Sequence, residues 1–206
     1  MKQYIFFGGT FDPVHNGHLA VAGRAAGIFG ADGSVLLAPA FVPPHKDAGK
    51  ILSFEHRLNM VQCAVSGKEN LQVCTIERER EGKSYSFDTL HILHTLHPED
   101  QINLLIGGDS LLQLHSWYRA KDLVRDFRII VYPRPGEEPD KAMLRRYWTE
   151  EETEKLLSFV LKDVPLFPVS STSIREMYRS GRREEAEKYV PEKVASYIRK
   201  NLLYFS

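Results

Sequence analysis

Apolar positions recur along the chain with two different periods. The segments 2–7, 34–38, 101–106 and 127–132 are short and apolar almost throughout, including Tyr4-Ile5-Phe6-Phe7 and Leu104-Leu105-Ile106. Such runs read as strands covered on both faces, as in a parallel sheet. A further segment, 71–76, alternates and also reads as a strand. Helical spacing falls between them: Leu19, Ala22, Ala26 and Phe29, then Phe54, Leu58, Val61 and Val65. Ser86 is the expected N-cap of a helix reaching His97, before Pro98. Short helices are expected over 110–115 and 121–125, and a closing one from Pro191 at its first position to about Asn201. Strands and helices alternate without linker or repeat. That predicts an α/β single domain, a doubly wound parallel sheet with helices on both faces. Two departures are expected. The segment 164–169 holds Pro165 and Pro168 and suits only an edge strand, and 137–162 is strongly charged and reads as a helical insertion outside the sheet.

Composition narrows this picture modestly. At 206 residues the chain can bury a full α/β core. Lys plus Arg and Asp plus Glu both number 27, so no global field draws it to nucleic acid or to an anionic membrane. Two cysteines make no disulfide framework and suit a reducing compartment. The first residues lack the basic and apolar regions of a signal peptide, and no apolar run approaches membrane-spanning length. A cytoplasmic location is the expectation, with no membrane or nucleic-acid partner. A homo-oligomer is left open.

The candidate chemistry gathers at strand ends. Gly8-Gly9-Thr10-Phe11-Asp12-Pro13-Val14-His15-Asn16-Gly17-His18 joins the first strand to the first helix, with Asn16 the expected N-cap. The glycine pair suits a tight turn where backbone N–H groups approach an anion. His15 and His18, three apart, can share one space and donate to phosphate oxygens. Zinc is disfavoured: there is no His-Glu-x-x-His, and Cys63 and Cys74 lack ligand spacing. Gly82-Lys83-Ser84 resembles the end of a P-loop, but the required earlier glycine is Glu77, and no Gly-x-Gly-x-x-Gly occurs. The run 77–81 reads as a solvated strand end. Gly107-Gly108-Asp109-Ser110 forms a second glycine turn, where Asp109 either caps a helix or accepts ribose hydroxyls. Trp117, beside it, is a stacking platform for a flat ring. Val42-Pro43-Pro44-His45-Lys46 should overhang the same crevice, its lysine placed for a phosphate. Finally, Ser170-Ser171-Thr172-Ser173 precedes a helix with Arg175 in its first turn, and Ser173 with Glu176 fits a capping box. A helix start so furnished suits a polyphosphate.

In this order, those segments, with Ser84-Tyr85-Ser86-Phe87-Asp88-Thr89, Trp117-Tyr118 and Arg134-Pro135-Gly136, resemble the bacterial nicotinate-nucleotide adenylyltransferase family. That family lies within the adenylyl- and cytidylyltransferases carrying His-x-Gly-His. The resemblance implies a Rossmann-like sheet and transfer of the adenylyl group of ATP, with Mg2+, to nicotinate mononucleotide. It also implies roles by position. His15 and His18 hold the ATP phosphates, Thr10 and the Gly8-Gly9 backbone contact the reacting groups, and Ser170, Thr172 and Arg175 hold the triphosphate. Gly107 and Asp109 take the adenosine ribose, and Trp117 stacks on the pyridine ring. Ser86 and the Tyr118 backbone lie near the pyridine carboxylate, Tyr85 belongs to the same mononucleotide site, and Lys46 and Arg134 help with phosphates. Ser86 stands where that family often has threonine. Sister transferases of the same fold, and a non-catalytic nucleotide-binding domain, are the competing expectations.

Overall fold

The structure is a computed structural model describing residues 1–43, 51–79, 82–133, 140–165 and 167–205. Five strands form one all-parallel sheet: β1 (Gln3–Gly9), β2 (Gly33–Pro39), β3 (Leu71–Val73), β4 (Gln101–Gly107) and β5 (Arg128–Tyr132). Their order is β3-β2-β1-β4-β5. The chain therefore winds outward from β1 in one direction, returns, and winds outward in the other. The crevice where the order reverses lies between β1 and β4, outside their carboxyl ends, which is where such sheets bind ligands.

The period of two along each strand feeds two separate cores. Ile5 and Phe7 of β1 join Val35, Leu37, Leu105 and Ile130 on one face. That face is covered by α1 (Asn16–Gly27), α2 (Phe54–Val65), α8 (Ser171–Arg179) and α10 (Glu192–Lys200). Phe6 joins Leu36, Leu104, Ile106 and Ile129 on the other, beneath α3 (Ser86–Leu96), α5 (Ala120–Asp126) and α7 (Glu150–Leu157). The remaining short helices are α4 (Gly108–Gln113), α6 (Lys141–Leu144) and α9 (Arg183–Glu187). From residue 140 onward the charged segment carries α6 and α7, and it sends Leu144, Trp148 and Leu156 into the second core instead of lying wholly outside the sheet.

Several local expectations change. The glycine pair does not turn: Gly8 and Gly9 are the last strand residues, opposite Ala38 and Pro39. The turn comes at Phe11, held at φ 50°, an uncommon conformation for a bulky side chain. No strand forms over 164–169 among the described residues. The sheet edge is met instead at Val160, which makes an isolated parallel bridge to Val131. Pro165 and Pro168 lack the N–H that pairing at the later position needs, whereas here Val131 N–H donates to Phe159 O at 2.9 Å, and Leu161 N–H to Val131 O at 2.7 Å. β3 stops at Val73, and Ile76–Glu79 is a 3₁₀ turn that buries Glu77 rather than exposing it. Among the described residues, no helix is long and apolar enough to cross a membrane.

Candidate active site

The N-cap of α1 is His15, not Asn16, because His15 holds the extended conformation (φ −141°, ψ 170°) that a cap requires. Asn16 is the first helical residue. Its backbone N–H donates to Tyr189 O at 2.8 Å and its side-chain amide to Lys188 O at 3.3 Å. The backbone N–H of His15 donates to His18 Nδ1 at 3.2 Å. That nitrogen is thus an acceptor, so the proton of a neutral His18 ring sits on Nε2, as a donor. The two imidazoles lie 3.7 Å apart, tilted by 33°, and Phe11 and Phe7 pack on His18 at 5.1 and 6.0 Å. Gly17 keeps the pair in place by its lack of a Cβ, which would stand 3.0 Å from the His15 ring.

The last helix start in the expected site docks directly on this turn. The N-cap of α8 is Ser170, three residues earlier than the Ser173 cap expected, and it forms its capping box with Ser173 rather than Ser173 with Glu176. The two hydroxyls satisfy each other's backbone: Ser173 N–H donates to Ser170 Oγ at 3.1 Å, and Ser170 N–H to Ser173 Oγ at 2.9 Å. Ser171 Oγ then donates to Pro13 O at 2.9 Å. Arg175 donates through Nη1 to Asp12 O at 2.7 Å and through Nη2 to Thr172 Oγ1 at 3.2 Å. So α8 docks on the turn between Thr10 and His15 from the opposite end of the chain, through Ser171 on Pro13 and Arg175 on Asp12.

Three buried polar residues that the sequence reading missed hold this turn. Arg57, 1% exposed, donates to Thr10 O at 2.9 Å, Ala40 O at 2.8 Å and Leu52 O at 3.0 Å. Burial pulls its guanidinium below its ordinary pKa, opposed by the nearby Asp12, Tyr204 and Glu77. Asp12, also 1% exposed, accepts from the Tyr204 hydroxyl at 2.6 Å and from Leu52 N–H at 3.4 Å. Burial first, then the Asp12 carboxylate, raises the Tyr204 phenol far above its ordinary pKa, so it remains a donor. One sign of Arg57 is present in the sequence: it falls three after Phe54 and four before Val61, on the apolar stripe of α2.

Two cavities flank the end of β1. One, of about 130 Å³, is lined by His15, Gly17, His18, Tyr132 and Phe167. The other, of about 640 Å³, is lined by Gly8, Gly9, Thr10, Tyr85, Ser86, Trp117 and Tyr118, with Glu77 and Lys83 its charged walls among the described residues. Tyr85 and Tyr118 lie 4.8 Å apart, tilted by 31°, and Arg119 sits 4.1 Å over Phe87. Ser86 is the first residue of α3, with Tyr85 as N-cap, so its hydroxyl does not serve as the expected cap. Glu77 accepts from Thr89 Oγ1 at 3.2 Å, and the same hydroxyl lies 3.2 Å from Tyr85 O. Between the cavities, Gly107 is the N-cap of α4 and faces Tyr132. The Asp109 carboxylate folds back over it, where a side chain at 107 would collide. Lys46 and Arg134 lie outside the described residues. Among the described residues, no group of three or more His, Cys, Asp or Glu could hold a metal. Asp12, the acid in the turn 10–15, is already committed to Tyr204 and Leu52. That donor set suits a divalent ion carried by ligand phosphates and water, as Mg2+ commonly is, rather than one caged by protein.

The cytidylyltransferase-like family model matches residues 6–177, a span running from β1 to the first turns of α8. A probable nicotinate-nucleotide adenylyltransferase of Gloeobacter violaceus is 40% identical over 202 residues, covering 96% of this chain and 94% of its own length. The nicotinate-nucleotide adenylyltransferase of Bacillus subtilis is 36% identical over 206 residues, with both chains covered in full. Among solved structures, the nicotinic acid mononucleotide adenylyltransferase of Plasmodium falciparum, complexed with NaAD, superposes with a TM-score of 0.80 at 20% identity, covering 99% of this chain and 98% of its own. At that identity the superposition speaks for the fold, the full-length relatives for the lineage. With its glycine-led strand end, paired imidazoles and docked α8, the chain belongs to the cytidylyltransferase-like family and, within it, to the nicotinate-nucleotide adenylyltransferases.

Proposed function

We propose that this protein transfers the adenylyl group of ATP to nicotinate mononucleotide, giving nicotinate adenine dinucleotide and pyrophosphate in NAD biosynthesis. The observation that carries the reading is the pair of cavities meeting at the end of β1, imidazoles lining one and a Trp-Tyr-Ser wall lining the other. Nicotinate mononucleotide occupies the larger cavity, its pyridine ring on Trp117 and its carboxylate near Ser86, Tyr85 and the Tyr118 backbone. Its 5′-phosphate then points to Gly8, Gly9 and Thr10. ATP lies across His15 and His18, its ribose toward Gly107 and Asp109, its triphosphate toward Ser170, Thr172 and Arg175. Lys46 and Arg134 are proposed to meet phosphates.

In this arrangement a phosphate oxygen of the mononucleotide forms a bond to the α-phosphorus of ATP. The bond from that phosphorus to the bridging oxygen breaks, and pyrophosphate leaves. The chain contributes positioning and charge stabilisation rather than a nucleophile. His18 Nε2–H donates to the α-phosphoryl oxygens, held to that task by the His15 N–H on its other nitrogen. Mg2+, carried by the triphosphate that Ser170, Thr172 and Arg175 would hold, would supply neutralising charge for the pyrophosphate leaving group.

The test is pyrophosphate release with ATP, magnesium and, in separate reactions, nicotinate mononucleotide, nicotinamide mononucleotide or phosphopantetheine. Turnover should be fastest with the first. Turnover with phosphopantetheine alone would replace this reading with that of a sister transferase, and no turnover with any acceptor would leave a nucleotide-binding domain.

A further inference from the structure

Residues after α10 do something that their own sequence does not favour. Leu202 and Tyr204 both take left-handed backbone conformations, φ 52° and 67°, although neither is glycine. The bend is closed by Leu203 N–H on Ile198 O at 3.1 Å. Its result is to turn the Tyr204 side chain inward, 6% exposed, until its hydroxyl donates to Asp12 Oδ1 at 2.6 Å across 192 residues of sequence. The local bond accounts for the bend at Leu202, and the bond to Asp12 accompanies the second left-handed residue, Tyr204.

The contact reaches further than Asp12. The carbonyl of Asp12 takes Arg175 Nη1 at 2.7 Å, and its Oδ2 lies 3.9 Å from the same nitrogen. The neighbouring turn residues are fixed independently, Thr10 O by Arg57 and Pro13 O by Ser171. The Asp12 carboxylate is thus oriented by the short bond from the Tyr204 hydroxyl on Oδ1 and the longer one from Leu52 N–H on Oδ2, and Asp12 in turn holds the Arg175 guanidinium. We propose that Tyr204 is a positioning residue for the phosphate site: through Asp12 its hydroxyl sets the turn 10–15 and the Arg175 guanidinium for the triphosphate. This rests on the adenylyl-transfer reading for the identity of the triphosphate.

A purely structural role is the rival. Tyr204 packs 6.0 Å from the Tyr178 ring and 3.9 Å from Met60 Sδ, and could simply fill the core. Tyr204→Phe separates the two, because it keeps the ring and removes the hydroxyl. Well below the unfolding temperature, kcat is expected to fall ~10-fold and the Kd for ATP to rise ~5-fold, as for a displaced catalytic constellation. The KM for nicotinate mononucleotide, bound on the far side of β1, should hold within twofold. If kcat and the ATP Kd both stay within twofold, Tyr204 is core packing and the proposal is wrong, whatever happens to the melting temperature.

Combining Tyr204→Phe with Arg175→Lys provides a second reading. If Tyr204 acts through Arg175, the double variant should lose little beyond Arg175→Lys alone, whereas fully multiplicative losses would overturn the route. Should Tyr204→Phe not fold, Asp12→Asn keeps an acceptor for the hydroxyl and removes the charge facing Arg175. The same loss in kcat and ATP affinity is expected there, and unchanged values would again overturn the proposal. ATP binding by calorimetry keeps the two readings apart. A wild-type protein that binds ATP without transferring it would refute the reaction but leave the Tyr204 effect measurable.

Discussion

At the end of β1 the turn 10–15 is held by its own backbone. Arg57 takes the carbonyl of Thr10, Arg175 that of Asp12 and Ser171 that of Pro13, all from elements distant in sequence. Across the crest, the larger cavity is walled by rings instead. Trp117 is half-buried, Tyr118 is 49% exposed, and Tyr85 leans on Tyr118 with no hydrogen bond between the two rings. Both regions sit at the end of the same sheet and, in the proposed reading, serve the same reaction, yet one is held by several hydrogen bonds and the other by ring contacts. The phosphate transfer is the same whatever the acceptor, and its geometry must be kept to fractions of an ångström. The acceptor is recognised by area and a few polar contacts, which rings supply at low entropic cost.

Removing a clamp should break the first region as a whole. Arg57→Met deletes a buried guanidinium and leaves three carbonyls, of Thr10, Ala40 and Leu52, without their donor. A loss of about 3 kcal/mol is expected, since each buried polar group left unpaired costs on the order of 1–3 kcal/mol and water offsets part of it. In a chain of this length that lowers the melting temperature by roughly 6–12 °C. Thermal unfolding followed by circular dichroism would detect it; a shift below 2 °C would mean the turn does not depend on Arg57.

Next in size, His18→Ala should leave stability nearly intact and cut kcat by about 100-fold, as for loss of a transition-state donor. The KM for ATP should change only a few-fold. A raised KM with kcat unchanged would make His18 a ground-state binder and erase the claimed contrast between the two regions.

The parts of this design visible in the sequence are those carried by local pattern. β1, β4 and β5 are apolar runs that nothing but a doubly covered strand suits, and 8–18 follows β1 without interruption. The meeting of the turn 10–15 with α8 was legible because the two segments resemble one family's motifs in order. What held them was not. Asp12 and Tyr204 are separated by 192 residues, Arg57 and Thr10 by 47, and neither spacing has a period. Glu77 sits in a run of alternating charges that reads as solvent-facing, and only the 3₁₀ turn after β3 rotates it inward toward Thr89. The cap errors share one cause. Asn16 and Ser173 have good capping side chains, but the residue that caps is the one the preceding turn leaves extended, His15 and Ser170.

On the ring-walled side the effects should be smaller and confined to the acceptor. Trp117→Ala is expected to raise the KM for nicotinate mononucleotide about 10-fold, in line with roughly 1–3 kcal/mol for stacking a flat base on an aromatic ring. Its kcat should stay within about threefold. An equal loss in the KM for ATP would show that the two cavities are not separate in function.

The smallest effect tests selectivity within that cavity. Ser86 opens α3 at its first position, where the helix dipole and free N–H groups already favour a carboxylate, and its hydroxyl lines the cavity without serving as the cap. One hydrogen bond to a partly exposed carboxylate is worth about 1 kcal/mol. Ser86→Ala should therefore lower the preference for nicotinate over nicotinamide mononucleotide, read as a ratio of kcat/KM values, by about fivefold. Ser86→Thr restores the hydroxyl and should hold that ratio at or above the wild-type value. If the alanine variant leaves the ratio unchanged, the carboxylate is read by the helix start and the Tyr118 backbone, and the hydroxyl contributes nothing to choosing the acid.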